Sequence, residues 1–342
     1  MKILFLPKSV NPYQGLLAEA LKKLNVEVDY KTEYPSVLWL IKNRNIYQVL
    51  HIHWPHRLYK GGKRTPFKMF KFICKFILTR IIGYKIIWTV HNLMPHEKSY
   101  HIIDKIVRRV IVLIANNIIV HCKYAEKIFT KQFGRKKNIF IIPHGNYLNL
   151  YNSRLPPKKA RLLLGIEDDA FVYLYFGKIR SYKGIENLLD SFKRLKKNKV
   201  NLLIAGKCNA QMRDKLNRMS RNEKRIKLFL NYIPDENVHL FFSVADVFVA
   251  PFSNILTSGS VILGLSFGLP IIAPALGCLP ELVIPPIGIL YDIEEKEGLL
   301  NALQEILKRD HYRMGQTAFA HAATLSWETI AQKTLSVYSK QN

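Results

Sequence analysis

"FVYLYFGKIRSYKGIENLLDSFKRLKK", residues 171–197, holds the pattern that decides the fold. The run from Phe171 to Phe176 is apolar and aromatic throughout and stops at Gly177. A strand that shows no polar face is buried on both sides, as in a parallel sheet covered by helices. Lys178, Arg180 and Lys183 follow, and Gly184 opens a segment with apolar residues at helical spacing. A strand, a short basic turn and a helix make one βα unit.

Working outward, the same rhythm fills the chain. "KILFL", "VLHIHW", "KIIWTVH", "NIIVHC" and "NIFIIPHG" precede it as buried strands, separated by helical patterns such as "YQGLLAEALKKL" and "KYAEKIFTKQFG". "VNLLIAG", "IKLFLNY", "VFVAP" and "PIIAP" follow it, with "NVHLFFSVA" and "EGLLNALQEILKR" as helices. The rhythm pauses at "PHGNYLNLYNSRLPPKKA", a polar, proline-containing connector of the kind that joins domains. The expected organisation is α/β, with two Rossmann-like domains at 1–150 and 151–325. A terminal helix at 326–342, "SWETIAQKTLSVYSK", is expected to return to the first domain. Ligands of such sheets bind outside the carboxyl ends of the strands. Two sheets facing each other would therefore form a cleft lined by the residues just after strands.

Lys and Arg number 52 against 25 Asp and Glu, a formal charge of +27 over 342 residues. The excess is uneven: residues 1–150 hold 26 basic and 7 acidic residues, the remainder 26 and 18. So basic an N-terminal half calls for an anionic partner, either nucleic acid or an anionic membrane surface. In "GGKRTPFKMFKFICKFILTRIIGYK", Lys68, Lys71 and Lys75 recur at helical spacing among Phe67, Phe70, Phe72, Phe76 and Ile77. Such a helix either lies on an anionic membrane or packs on the sheet with a solvated lysine face. The four cysteines are isolated, so reduced thiols are expected rather than a disulfide framework or a zinc site. The opening apolar run is too short for a signal peptide, and no apolar segment reaches the ~18 residues of a bilayer span. A cytoplasmic protein, neither secreted nor membrane-spanning, is expected.

Three groups of residues fall after strands. Arg180 and Lys183 beside the helix opening at Gly184 form a candidate anion site. In "NILTSGSVILGLSFGLPIIAP", residues 254–274, Thr257, Ser258, Gly259 and Ser260 stand at a helix N-terminus after a buried strand. Their hydroxyls and amides can hold a diphosphate or merely cap the helix. The histidines of the first half form the third group. His51 and His53 lie in "VLHIHWPH", His91 ends "KIIWTVH", and His96 with Glu97 follows in "LMPHE". His121 ends "NIIVHC" and His144 lies in "IIPHGNY". Histidine serves as base, donor or metal ligand. The H-x-H of His51 and His53 puts both rings on one face of a strand, but no carboxylate or cysteine stands near enough in sequence to complete a metal site.

The order of these segments resembles the group 1 glycosyltransferases of the GT-B fold, which build bacterial surface polysaccharides and glycolipids. The resemblance is most specific over 172–283, in "YFGKIRSYKGIENLL", "LLIAGK", "NYIPDENVHLFFSVADVFVAPF" and "LTSGSVILGLSFGLPIIAPALGCLPELV". It implies a nucleotide sugar, UDP- or GDP-linked, bound by the second domain through its diphosphate at Arg180, Lys183 and Thr257–Ser260. Gly206, Lys207, Tyr232 and Ile233 would lie near the nucleoside. His91 would stand beside the transferred sugar as the catalytic residue. Asn11, Tyr13, His53, His121 and His144 would line the acceptor side. It further implies that no cofactor and no metal are needed.

One departure is evident. Many relatives carry two glutamates in an E-x7-E pattern where this chain has Ile255 and Leu263. "LTSGS" replaces the glutamate turn, which is expected of a sub-branch and leaves retaining or inverting outcome open. Ribose contact must then come from elsewhere, with Glu281 of "GCLPELV" as a candidate. The expected activity is transfer of a hexose to a lipid-linked or anionic glycan acceptor. The expected location is peripheral, on the inner face of the cytoplasmic membrane through the basic N-terminal domain. A non-catalytic nucleotide-sugar-binding or partner subunit is the alternative. Nucleic acid is not an expected partner, because no recognised nucleic-acid motif accompanies the charge.

Overall fold

The computed structural model describes residues 1–94, 100–151 and 155–340. The chain divides into two compact units: Met1–Gly145 together with Leu325–Asn342, and Asn146–Thr324.

The first unit holds a six-stranded parallel sheet of β1 (Lys2–Leu6), β2 (Glu27–Tyr30), β3 (Val49–Ile52), β4 (Lys85–Thr89), β5 (Asn117–Val120) and β6 (Ile139–Ile141). The strand order is β2-β1-β3-β4-β5-β6, and every pair is parallel. The four strands β1, β3, β4 and β5 are buried almost end to end, as their unbroken apolar runs require. The terminal helix Trp327–Ser339, capped by the Ser326 hydroxyl, completes this unit. It packs Trp327, Ile330, Ala331, Val337 and Tyr338 against Phe5, Tyr13, Leu17 and Ile119 of the core.

The second unit repeats the architecture with β7 (Phe171–Phe176), β8 (Val200–Ala205), β9 (Ile226–Phe229), β10 (Val247–Val249), β11 (Ile271–Pro274) and β12 (Gly288–Tyr291). Its order, β12-β11-β10-β7-β8-β9, is again all parallel. Renumbered from β7, this is the 3-2-1-4-5-6 order of the Rossmann fold. The order reverses between β7 and β10 in this unit, and between β1 and β3 in the first. Those gaps are where ligands of doubly wound sheets bind.

The expectation of reduced thiols holds for Cys74 and Cys208, which are free, and not for the other two cysteines. No helix among the described residues is long and apolar enough to cross a membrane. The helix Thr65–Ile81 has two apolar faces rather than one. Phe72 and Phe76 are buried, while Phe67, Phe70, Ile77, Leu78 and Ile81 are exposed on the opposite side.

Candidate functional site

In the second unit, the loops after β7 and β10 are locked together by glycines. At Gly184, φ is +68° and a Cβ would stand 1.8 Å from the Pro251 carbonyl oxygen. No other residue fits that approach without moving the loop. Ser253 donates its amide and its hydroxyl to the Tyr182 carbonyl, at 3.0 and 3.1 Å. Gly206, at the end of β8 with φ +149°, leaves 1.9 Å between a would-be Cβ and the Gly177 carbonyl oxygen. A Cβ at Gly177 would lie 3.8 Å from Ser260 Cβ. The ends of β7, β8 and β10 thus converge, as backbone that must come close to a phosphate does.

Arg180 flanks the short 3-10 turn Ser181–Lys183. Lys183 Nζ lies 4.0 Å from the Phe252 ring centroid and 5.3 Å from that of Tyr182. Burial against these rings, with Arg180 nearby, pulls its ammonium down to about 8. The helix Gly259–Ser266 begins seven residues after Phe252, with Ser260 against the Gly177 end of β7. Ser258 is buried, accepts from the Val261 amide at 3.4 Å, and lies 3.0 Å from the Ser260 hydroxyl. This helix carries no acidic residue in its first turn, so its macrodipole is uncompensated there.

The structure therefore brings Arg180, Lys183, Gly206 and Thr257–Ser260 to one end of one sheet. Lys207 is exposed, and its carbonyl accepts from the Ile179 amide at 3.0 Å, which ties the β8 loop to the basic turn. Tyr232, 67% exposed, and Ile233 lie on the loop after edge strand β9. Glu281 lies on the short helix Leu279–Leu282. That helix is laid on the 254–260 turn: Cys278 donates to the Leu256 carbonyl at 2.8 Å, and a Cβ at Gly277 would stand 2.4 Å from the Ile255 carbonyl oxygen. Ile255 and Leu263 are 8% and 7% exposed. The two positions that would carry glutamates in many relatives are thus filled by core side chains.

The first unit gathers histidines. His53, His91 and His121 follow β3, β4 and β5, three adjacent strands, so a row of rings at their carboxyl ends is the direct consequence of parallel pairing. His53 Nδ1 lies 3.2 Å from His91 Nε2, and His91 Nδ1 lies 3.2 Å from His121 Nε2. His121 Nδ1 reaches the Ile142 carbonyl at 2.9 Å. His51 bridges Tyr338 at 2.6 Å and Thr89 at 2.7 Å, and stacks on His53 with centroids 4.2 Å apart. Tyr13 stands edge-on to His53, His91, His121 and His144, with centroids 4.7 to 5.8 Å away. Asn11 caps the helix Pro12–Lys22, accepting from the Tyr13 amide at 2.9 Å, and so sets where Tyr13 begins. His144 Nδ1 meets the Gly145 carbonyl at 2.8 Å.

Burial holds all five rings neutral at pH 7. It lowers His51 and His144 to about 3 and His121 to about 4, and pushes His53 and His91 well below the ordinary histidine range. Among the described residues no group of three or more His, Cys, Asp or Glu is arranged to hold a metal ion. His96 and Glu97 lie outside the described residues.

Sequence reading overlooked Trp54, whose ring stacks on His91 at 4.4 Å and 14°. Its place directly after His53 in "HIHWPH" was the available signal. Phe252 under Lys183 was also overlooked, although it ends the strand motif "VFVAPF".

Residues 158–321 match the family described as glycosyl transferases group 1. The GDP-mannose:glycolipid 4-beta-D-mannosyltransferase of Xanthomonas campestris pv. campestris is 28% identical over 299 residues, covering 79% of this chain and 78% of that protein. Among solved structures, HepE of Anabaena in complex with UDP-glucose superposes with a TM-score of 0.75 at 19% identity, over 98% of this chain and 99% of that one. WaaG, a glycosyltransferase involved in lipopolysaccharide biosynthesis, superposes with a TM-score of 0.72 at 12% identity, over the whole of both chains. The two parallel six-stranded sheets and these neighbours establish the GT-B fold. The chain is homologous to glycolipid glycosyltransferases, and its residues 158–321 form a group 1 glycosyltransferase domain.

Proposed function

We propose that the protein transfers a hexose from a nucleotide sugar to a glycolipid acceptor at a membrane surface, in the synthesis of a surface polysaccharide or glycolipid. The observation that carries the reading is the convergence of Lys183, Arg180 and the Gly259–Ser266 helix N-terminus at the β7–β10 switch point. In glycosyl transfer the bond from the sugar anomeric carbon to the diphosphate oxygen breaks, and negative charge grows on the leaving diphosphate. Arg180, Lys183 and the helix N-terminus supply positive potential there without a metal. His91 would contact the donor sugar or assist the acceptor hydroxyl. The nucleoside would lie towards Gly206, Lys207, Tyr232 and Ile233, with Glu281 in place of the missing ribose glutamate.

A GDP-linked donor is favoured over a UDP-linked one, because the relative named for GDP-mannose is more similar in sequence than the structures holding UDP-glucose. A specific donor stabilises the fold by about 2.7 kcal/mol at a hundred times its Kd. A thermal-shift series with GDP-mannose, UDP-glucose and their free diphosphates tests this, with a rise in Tm for GDP-mannose expected. No shift with any nucleotide would sink the proposal. Transfer of labelled mannose from GDP-mannose to a bacterial glycolipid extract then separates an enzyme from a binding subunit. The non-catalytic reading draws on Ile255 and Leu263, and binding without transfer would favour it.

The membrane side is supported by the exposed face of the helices Thr65–Ile81 and His101–Ile114. Phe67, Phe70, Ile77 and Ile81 on the first, and Ile102, Ile106 and Leu113 on the second, are uncovered. By helical spacing Lys68, Lys71 and Lys75 flank the first stripe. Apolar side chains beside lysines suit the interface of an anionic bilayer. Flotation with phosphatidylglycerol vesicles is expected, weakened by replacing Phe67 and Phe70 with Ser; equal flotation with neutral vesicles would remove the electrostatic part.

A further inference from the structure

The three imidazoles after β3, β4 and β5 have a direction. A carbonyl oxygen can only accept, so His121 must carry its proton on Nδ1 to meet the Ile142 carbonyl. A neutral His121 then has a bare Nε2. His91, 3.2 Å away through Nδ1, must therefore donate from Nδ1. Its own Nε2 is then bare, and His53 must donate to it from Nδ1 across 3.2 Å. His53 Nε2, the last atom of the chain, is buried and has no partner. That orphan is a bare acceptor; an unmet N–H would arise there only if a second proton entered at His121 and reversed every link. Burial opposes that proton at each ring.

We propose that His121 is a positioning residue that holds His91 as the neutral imidazole with its proton on Nδ1, and that His53 only donates to the bare Nε2 that results. Free imidazole side chains prefer the proton on Nε2, so three neighbouring Nδ1–H rings would not arise without this anchor. The proposal rests on the reading of His91 above only for its bearing on sugar transfer. The tautomer itself is independent of any ligand. It sets what His91 can offer a sugar or acceptor hydroxyl: Nε2 is an acceptor and Nδ1 a donor, each already committed to another histidine. A hydroxyl that engages either nitrogen must displace a ring.

The test is a long-range proton–nitrogen correlation spectrum of the full chain labelled with 15N-histidine at pH 7.5, with His91 assigned by its loss in His91→Phe. The expected result places His53, His91 and His121 in the Nδ1–H form. His121→Phe keeps a ring in place without nitrogens and is expected to move His91 Nε2 from the bare to the protonated region. His53→Phe is expected to leave His91 in the Nδ1–H form, with Nε2 still bare. An Nε2–H signal for His91 in the unaltered protein overturns the proposal, as does a His91 that changes to the Nε2–H form in His53→Phe. Should His121→Phe fail to fold, the unaltered protein and His53→Phe still decide. Failure here would leave the diphosphate reading at β7–β10 intact, and absence of nucleotide binding would leave the tautomer intact.

Discussion

At the carboxyl ends of β3, β4 and β5 the first unit places neutral rings, whereas at the ends of β7 and β10 the second unit places cations and a helix N-terminus. The contrast runs against the bulk charge. The first 150 residues hold 26 basic and 7 acidic side chains, yet their strand-end cluster is uncharged. The basic excess of that half instead lies on helices and turns such as 57–81. Net charge therefore says where a unit meets its surroundings, not where its strand ends do chemistry. The second unit has the smaller basic excess and places two cations at the switch point.

The largest expected effect is acid sensitivity concentrated in the first unit, which holds the five clustered rings, whereas in the second His321 is lowered by burial. A histidine whose folded pKa is depressed is neutral in the folded state, while the unfolded chain takes up its proton near 6.5. Between those values the unfolded state binds more protons, so stability falls as pH falls. Each of His51, His121 and His144 then costs about 1.4 kcal/mol per pH unit below 6.5, until its folded value of about 3 to 4 is reached. His53 and His91 are shifted the same way, so the loss from pH 7 to 5 exceeds that of any single ring several-fold. Hydrogen exchange at the amides of β4 and β5 should accelerate at pH 5 well beyond that at β7 and β8. Equal protection of the two sheets at pH 5 would break the contrast.

Next comes removal of the cations. Arg180→Ala with Lys183→Ala is expected to lower kcat/KM by about 10²–10³-fold, the scale of losing preorganised charge at a leaving group. An unchanged kcat/KM would remove the diphosphate assignment.

Much of this was legible. Every strand named in the sequence is present, and the two it missed, β2 and β12, are the outer strands on one edge of each sheet. Their residues, Glu27–Tyr30 and Gly288–Tyr291, are mostly half-exposed, so "EVDY" and "GILY" lack the long apolar run that marks a doubly covered strand. The site was legible as a set of positions after strands, not as contacts. That His53, His91 and His121 form a row depends on β3, β4 and β5 being adjacent, which spacing along the chain does not encode. Gly184 could be read as opening a helix, but the reason it must be glycine lies 67 residues away, at Pro251.

Gly184→Ala sharpens that point. The added Cβ would meet the Pro251 carbonyl oxygen at a φ of +68°, and a loss of about 2–3 kcal/mol is expected from overpacking and strain together. Gly15 in the helix Pro12–Lys22 is the control, with nothing within 4 Å of its would-be Cβ. Gly15→Ala should stabilise by about 0.5–1 kcal/mol through helix propensity. Urea unfolding of the two variants checks both signs. A tolerated Gly184→Ala would mean that the β7 and β10 loops are not locked together.

The smallest effect is the most specific to the second unit. Lys183 is lowered from 10.5 to about 8, first by burial and then by Arg180. Between pH 8 and 10.5 the unfolded chain holds a proton that the folded protein has released, so stability rises with pH across that window. A diphosphate bound there prefers the ammonium, so its affinity falls across the same window, by up to about tenfold for each pH unit above 8. Stability and binding should move in opposite directions, which a generally basic surface would not produce. Lys183→Arg keeps its charge at these pH values and should flatten the binding profile. Calorimetric titration with GDP at pH 7.5, 8.5 and 9.5 measures it. A wild-type Kd that does not change with pH would place the diphosphate away from Lys183, leaving Arg180 and the helix N-terminus to hold it.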